Sequence, residues 1–246
     1  MKTFIKYVFT AIFFIYFFAL GSIMYLIALL LWLITFKFDK KRKATHWFTQ
    51  FWGAMYIWPV PTWKITVKGK ENIDKKQVYM MVANHQSQFD ILSTSLLFTH
   101  FKWVSKSEVF NIPIVGWAMR LNKYIELKRG DKRSVIKMVK DAERNIKEGS
   151  SVFIFPEGTR SDTGELKKFK PGAFIIAKRT KAPILPIVIN GTRKILPKGT
   201  LFLNPKGHIY YEILKPIPYE DYKNMDTDEI ADMVRNIISE RLKELM

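Results

Sequence analysis

The sequence predicts an α/β fold: a largely parallel central sheet flanked by helices, preceded by an N-terminal membrane-anchoring helical motif. Three observations predict it. Short apolar runs alternate with helix-period segments from residue 62 to residue 246. Polar clusters follow directly on several of those runs. The 30 residues from Tyr7 to Phe36 carry no charge. The boundary between the motif, 1–61, and the domain, 62–246, is placed at Pro59-Val60-Pro61, a natural hinge.

As a helix, Tyr7–Phe36 would be about 45 Å long, against a bilayer hydrocarbon core of about 30 Å. A cleaved signal peptide is a poor reading, because the apolar part is too long and no small-x-small cleavage site follows. Lys2 and Lys6 flank one end, and Lys37, Lys40, Lys41, Arg42 and Lys43 the other. If the segment spans, the stronger cluster puts its C-terminal end in the cytoplasm. Positive charge at both ends also suits a segment that dips in and returns, turning near Gly21-Ser22. Residues 46–58 (HWFTQFWGAMYIW) place Trp47, Trp52, Tyr56 and Trp58 among apolar neighbours. Such rings favour the headgroup level, so an interfacial helix is expected there.

Strands are expected at 63–67, 78–83, 101–104, 124–127, 151–155, 183–189 and 208–214. Helices are expected at 91–98 and 135–146, the second with Val135, Ile136, Val139, Ala142 and Ile146 on one face and Gly149 as its stop. Pro171 suits the first turn of a helix over 171–180. Asp226 and Glu229 have capping-box spacing and open a final helix striped with Ile230, Met233, Val234, Ile237, Ile238 and Leu242.

Composition narrows the function. Forty basic against 22 acidic side chains give a net charge of +18, so anionic partners are expected: nucleic acid, acidic lipid or a phosphorylated metabolite. Absence of cysteine removes disulfides, thiol nucleophiles and cysteine-ligated metals. The four histidines show no metal-ligand spacing, so no metal site is expected. A nucleic-acid partner is disfavoured, since an apolar segment is present and no nucleic-acid motif is.

Four clusters sit at expected strand ends, where a parallel sheet presents its chemistry. Asn84-His85-Gln86-Ser87-Gln88-Phe89-Asp90 places an imidazole five residues before a carboxylate, a base with an orienting group. A satisfied structural histidine with an Asp capping the next helix is the bland alternative. Phe155-Pro156-Glu157-Gly158-Thr159-Arg160-Ser161 offers close backbone approach at Gly158, hydroxyls at Thr159 and Ser161, and a planar fork for phosphate at Arg160. A polar turn held by a Glu–Arg pair explains it equally well. Ser105-Lys106-Ser107-Glu108 and Ile125-Glu126-Leu127-Lys128-Arg129 complete the set.

Together these blocks resemble the glycerolipid acyltransferases, in particular bacterial 1-acylglycerol-3-phosphate acyltransferases. The Asn-His-x4-Asp block matches Asn84 to Asp90, and the Glu-Gly-Thr-Arg-Ser block matches Glu157 to Ser161. A Lys-x-Glu segment with a following Pro-x-x-Gly-Trp run matches Lys106, Glu108 and Pro113 to Trp117. An arginine after a short strand matches Arg129, and a proline-bearing apolar strand matches Pro183 to Val188. The resemblance covers about 80 to 215. It departs at Lys123 and Lys128, where the family usually has Gly and Asp, so this loop is more basic than usual.

The resemblance implies an acyltransferase domain over 62–246 with no cofactor. Acyl-CoA or acyl carrier protein would be the co-substrate, lysophosphatidic acid the acceptor, and the bilayer the working surface, with the domain at the cytoplasmic face of the cell membrane. His85 would act as base on the sn-2 hydroxyl and Asp90 as its orienting partner. Lys106, Arg129, Glu157, Gly158, Thr159 and Arg160 would form the substrate site, with Arg160 and Lys106 on the phosphate and Glu157 shaping the loop and orienting Arg160. Three alternatives remain open at this point: an acyl-Ser87 route, another acceptor such as glycerol 3-phosphate or a different lysophospholipid, and a non-catalytic anionic-lipid binder.

Overall fold

A computed structural model describes residues 2–161 and 165–245. Seven strands form one sheet: β1 (Trp63–Lys68), β2 (Met80–Ala83), β3 (Phe101–Lys106), β4 (Ile125–Leu127), β5 (Ser151–Ile154), β6 (Ile184–Asn190) and β7 (Gly207–Ile213). Their order is β1-β7-β6-β2-β5-β3-β4, and every pairing is parallel except β6 with β7. All seven expected strands form, with ends shifted by one or two residues. Every residue of β2 and β5 is buried, because helices cover both faces of the sheet. That double burial is why these strands read as unbroken apolar runs rather than as alternation.

Successive strand residues serve opposite layers. Met80 and Val82 join a core with the helices Lys132–Lys147, Gly172–Thr180 and Thr227–Glu244. Met81 and Ala83 join a second core with Phe13, Trp52, Trp63, Phe89 and Leu96. The final helix carries the expected capping box, with the Asp226 side chain accepting from the Asp228 and Glu229 N–H groups.

The N-terminal helix α1 (Lys2–Thr35) runs unbroken through Gly21 and Ser22, so the turn expected there does not form. The Ser22 hydroxyl returns to the Phe18 carbonyl, 2.9 Å, as a helical residue does. Gly21 instead permits close packing, since a Cβ there would sit 3.0 Å from the Tyr56 hydroxyl. Residues Thr3–Thr35 are long and apolar enough to cross a membrane, and one side is open: Phe4, Ile12, Ile15, Leu26, Leu30 and Ile34 are all exposed. That exposure fits membrane association.

The second helix, α2 (Lys43–Met55), divides the aromatic run 46–58 between the domain and its surface. Trp52 and Tyr56 are buried within the domain, whereas Trp47, Phe51 and Trp58 are exposed. Trp52 Nε1 donates to the Tyr56 hydroxyl (2.7 Å), which donates to the Phe17 carbonyl (2.9 Å), and this pins α2 to α1. The helix is thus a domain helix with one aromatic side left open. The expected helix 91–98 also differs. It is an α-helical Phe89–Ser93 followed by a 3₁₀ turn, Thr94–Leu97. Ser93, Thr94 and Ser95 return their hydroxyls to preceding carbonyls, and Phe98 turns left-handed at φ 47°.

Lys102 ties the two parts of the chain together. Its wholly buried ammonium donates to the carbonyls of Lys41, between α1 and α2, and of Asn122, each at 2.7 Å. Burial lowers its pKa to about 7, opposed first by Asp39. Between pH 7 and the ordinary lysine value the unfolded chain holds this proton and the folded chain does not. Stability therefore rises with pH in that window, by up to about 1.4 kcal/mol per unit from one group. Denaturant unfolding of the detergent-solubilised protein should show that rise, and Lys102→Met should flatten it. A slope unchanged by the substitution would remove Lys102 as its source.

Candidate functional site

The carboxyl ends of β2, β5, β3 and β4 lie side by side because all four strands are parallel. The loops beyond them carry all four sequence clusters. His85 stands two residues past β2, and its backbone is set by Asn84. The Asn84 side chain donates to the Ile189 carbonyl and accepts from the Ile189 N–H, each at 2.8 Å, so the strand end is locked to β6.

His85 Nδ1 lies 2.9 Å from Asp90 Oδ2. A carboxylate only accepts, so Nδ1 carries a proton, and in the neutral imidazole Nε2 then holds the lone pair. Nε2 makes no hydrogen bond among the described residues, and the side chain is 12% exposed. The imidazole stacks on Phe155, with ring centroids 4.1 Å apart and planes within 9°. Asp90 is fully buried, and the same Oδ2 also accepts from the backbone N–H groups of Gln86 (2.7 Å) and Ser87 (2.9 Å). Oδ1 is buried without a partner among the described residues. Tyr211 on β7 donates its hydroxyl to the Asp90 carbonyl at 3.0 Å, and burial pushes that phenol well above its ordinary pKa.

Ser87 is not placed as a nucleophile. It is fully buried, its hydroxyl donates to the Leu196 carbonyl at 2.6 Å, and it accepts from the Phe89 N–H at 3.1 Å. Both roles are structural, and no base addresses it.

Glu157 takes neither a proton-transfer position nor an ion pair with Arg160 among the described residues. Its Oε1 accepts from the His85 N–H (2.7 Å) and its Oε2 from the Lys167 N–H (3.0 Å). The side chain is buried. Desolvation raises its pKa, opposed by those two backbone donors. The Ser161 N–H closes the arrangement on the His85 carbonyl, 3.0 Å. Gly158 is left-handed at φ 67°, and the Lys170 side chain lies where a Cβ would point. Thr159 and Arg160 follow, half-buried. The Arg160 carbonyl accepts from Lys167 Nζ (3.1 Å) and Lys198 Nζ (3.3 Å).

Lys106 is the last residue of β3, half-buried, and Arg129 lies exposed two residues beyond β4. They share the neighbourhood of Glu108. A backbone hydrogen bond first, then Lys106, the Ser107 hydroxyl and Arg129, hold its carboxyl below the ordinary range against a smaller desolvation. The dyad and the Glu157 loop thus meet at β2 and β5. Lys106 stands one strand further out, and Arg129 at the sheet's rim.

Three contributors escaped the sequence reading. Phe155 had no assigned role, although its place just past β5 put it beside the β2 loop. Lys167 and Lys198 reach the Arg160 backbone from distant segments, and no spacing rule connects them. Among the described residues no group of three or more His, Asp or Glu is placed to hold a metal ion.

Comparison with known proteins places this geometry. The acyltransferase family model matches residues 64–190. A chloroplastic 1-acyl-sn-glycerol-3-phosphate acyltransferase of Arabidopsis thaliana is 43% identical over 163 residues, 65% of this chain and 45% of that protein. The enzyme of that description from Pseudomonas aeruginosa is 33% identical over 153 residues, 61% of this chain and 59% of its own length. The chain spans about half the length of the plant relatives it matches. The crystal structure of a 1-acyl-sn-glycerophosphate acyltransferase from Thermotoga maritima superposes with a TM-score of 0.80 at 24% identity, covering 98% of this chain and 97% of that one, a likeness of fold.

The Glu157 carboxylate accepts from two backbone donors in separate loops. Glu157→Ala should therefore destabilise the protein by about 2 kcal/mol or more, read as a lowered denaturation midpoint. An unchanged midpoint would show that the two loops hold their positions without it.

Proposed function

We propose, from the premise that this chain belongs to the acyltransferase family, that it transfers a fatty acyl group from an acyl thioester to the sn-2 hydroxyl of 1-acyl-sn-glycerol 3-phosphate, giving phosphatidic acid. The observation that carries the proposal is the His85–Asp90 pair. Its hydrogen-bonded Nδ1 leaves Nε2 as a base without a partner among the described residues at the sheet edge, with Arg160 on the next strand's loop and Lys106 at the end of β3 one strand further out. The printed names of the relatives support the acceptor, and the exposed apolar side of α1 supports a membrane-borne one.

In this mechanism Nε2 takes the proton of the acceptor hydroxyl as its oxygen attacks the thioester carbonyl. Asp90 keeps the imidazole in the required tautomer and stabilises the imidazolium. A C–O bond forms, the C–S bond breaks, and the proton returns from Nε2 to the departing sulfur. No covalent enzyme intermediate is needed. Arg160 and Lys106 bind the acceptor phosphate, with Arg129 assisting from the rim. Gly158 and Thr159 shape that loop, and Glu157 holds it against His85. The domain works at the cytoplasmic face of the cell membrane, with acyl-CoA or acyl carrier protein as donor and no cofactor.

With labelled acyl thioester and lysophosphatidate, His85→Ala and Asp90→Asn should each lose about a hundredfold or more in turnover. Ser87→Ala should stay within a few-fold of wild type, because its hydroxyl is structural. Full activity in either dyad variant would sink the base assignment, and an abolished but folded Ser87→Ala would revive the acyl-serine route. Arg160→Ala should chiefly raise KM for lysophosphatidate. A lowered kcat at constant KM would place that side chain elsewhere than on the phosphate.

A further inference from the structure

The helix Lys132–Lys147 presents a surface that the mechanism does not use. Its inward face is filled by Met138, Val139, Ala142 and Ile146. Yet Val135 and Ile136, in its second turn, stand 41% and 57% exposed. They border a shallow hollow that also involves Gly130, Asp131 and Lys132. Lys128, Lys132 and Arg133 are exposed around them, and none forms an ion pair among the described residues. Asp131 is the one acid in the hollow, and its carboxylate is taken up by the Arg133 and Ser134 N–H groups as helix cap. Two open aliphatic side chains inside a ring of unpaired cations form a small apolar anchor with a basic rim.

Its place in the fold limits what can cover it. This helix belongs to the layer opposite α1 and α2, since the two cores lie on opposite faces of the sheet. The open apolar side of α1 and this patch therefore address different surroundings, which argues against a lipid surface here. The patch does adjoin the working edge of the sheet, because it begins at the turn after β4. From the end of β4 to the end of β2 is three strand spacings, about 14 Å. A partner docked here would need an extended arm to bring its reactive group to His85.

We infer that this helix face docks a small acidic carrier protein, which presents an acidic amphipathic helix to Lys128, Lys132 and Arg133, seats an apolar side chain on Val135 and Ile136, and delivers the acyl thioester on a flexible arm. The inference rests on the acyl-transfer reading and names its donor-side partner. The complex is small, transient and salt-sensitive, as the limited area and the charged rim require.

Two surface variants test it: Ile136→Asp, and the double variant Lys132→Glu with Arg133→Glu. Neither residue set includes a member of the dyad or of the proposed phosphate site. Direct titration of fluorescently labelled acyl carrier protein should show binding by wild type and about tenfold or weaker binding by both variants. Kinetically, KM for palmitoyl acyl carrier protein should rise by a similar factor, while kcat and KM for palmitoyl-CoA stay within about twofold. Equal losses with both donors would overturn the proposal in favour of a nucleotide or structural role. Weakened binding to anionic phospholipid vesicles, with carrier binding intact, would overturn it in favour of a lipid surface. The binding titration needs no turnover. If wild type binds the carrier yet transfers from neither donor, the acyl-transfer reading fails while the docking surface stands. If it transfers from palmitoyl-CoA yet shows no carrier binding, the docking inference fails alone.

Discussion

The site depends on one buried carboxylate. Asp90 has no exposed surface, and removing such a charge from water costs several kcal/mol unless donors replace the solvent. Three donors do so on a single oxygen: the His85 ring and the backbone N–H groups of Gln86 and Ser87. That arrangement fixes more than a tautomer. To deliver both N–H groups, residues 85–87 must turn sharply, and to bring the carboxylate back to them the chain must enter the helix Phe89–Ser93 at once. The spacing of five between His85 and Asp90 is therefore the arc length of a turn closed on its own side chain. Neighbours hold the arc in place: Ile189 of β6 through the Asn84 side chain, Tyr211 of β7 through the Asp90 carbonyl, and the Leu196 carbonyl through the Ser87 hydroxyl.

A second buried carboxylate joins this arc to the next strand's loop. Glu157 bridges the backbones of His85 and Lys167, so an acid in the β5 loop sets the height of the imidazole above the sheet. Phe155 stacks under the same ring, and a flat apolar contact at 4.1 Å leaves the imidazole few ways to tilt. The imidazole is thus fixed through three independent directions: its Nδ1, its backbone N–H and its ring face. Preorganisation of this kind is where positioning can lower a barrier. It also explains why Glu157 stands next to an arginine-bearing loop without pairing to Arg160. Each of its two oxygens already accepts from a backbone donor.

Much of this was legible in the sequence, and the failures have common causes. The strands could be read because double burial makes their apolar runs continuous. The dyad could be read because its spacing is a local geometric requirement, and the final helix because a capping box involves residues only three apart. What could not be read were relations set by tertiary packing. The 3₁₀ turn at 94–97 follows from three consecutive hydroxyls bonding backward, which compete with helix continuation in a way that periodicity does not register. The aromatic run at 46–58 looked uniform. Only the docking of Tyr56 on the Phe17 carbonyl decides which rings are buried. Lys167 and Lys198 meet at the Arg160 carbonyl from either side of β6, a convergence no linear pattern contains.

The division of labour between the sheet's two faces follows from the same topology. In a parallel sheet every strand releases its chain at one edge, so the polar clusters accumulate there and both faces remain available for helices. One face receives the N-terminal helix, whose outer side is too apolar to remain in water. The opposite face receives the helices Lys132–Lys147, Gly172–Thr180 and Thr227–Glu244, whose outer sides are charged. A layer with an open apolar helix side and a layer with charged helices then share one edge, and that edge carries the four polar clusters. The two strands that run opposite to the other five, β7 and β1, do not disturb this. Strand β7 joins β6 to β1 on the far side of β2 from β4, and it adds Tyr211 beneath the dyad while leaving the rim between β2 and β4 open.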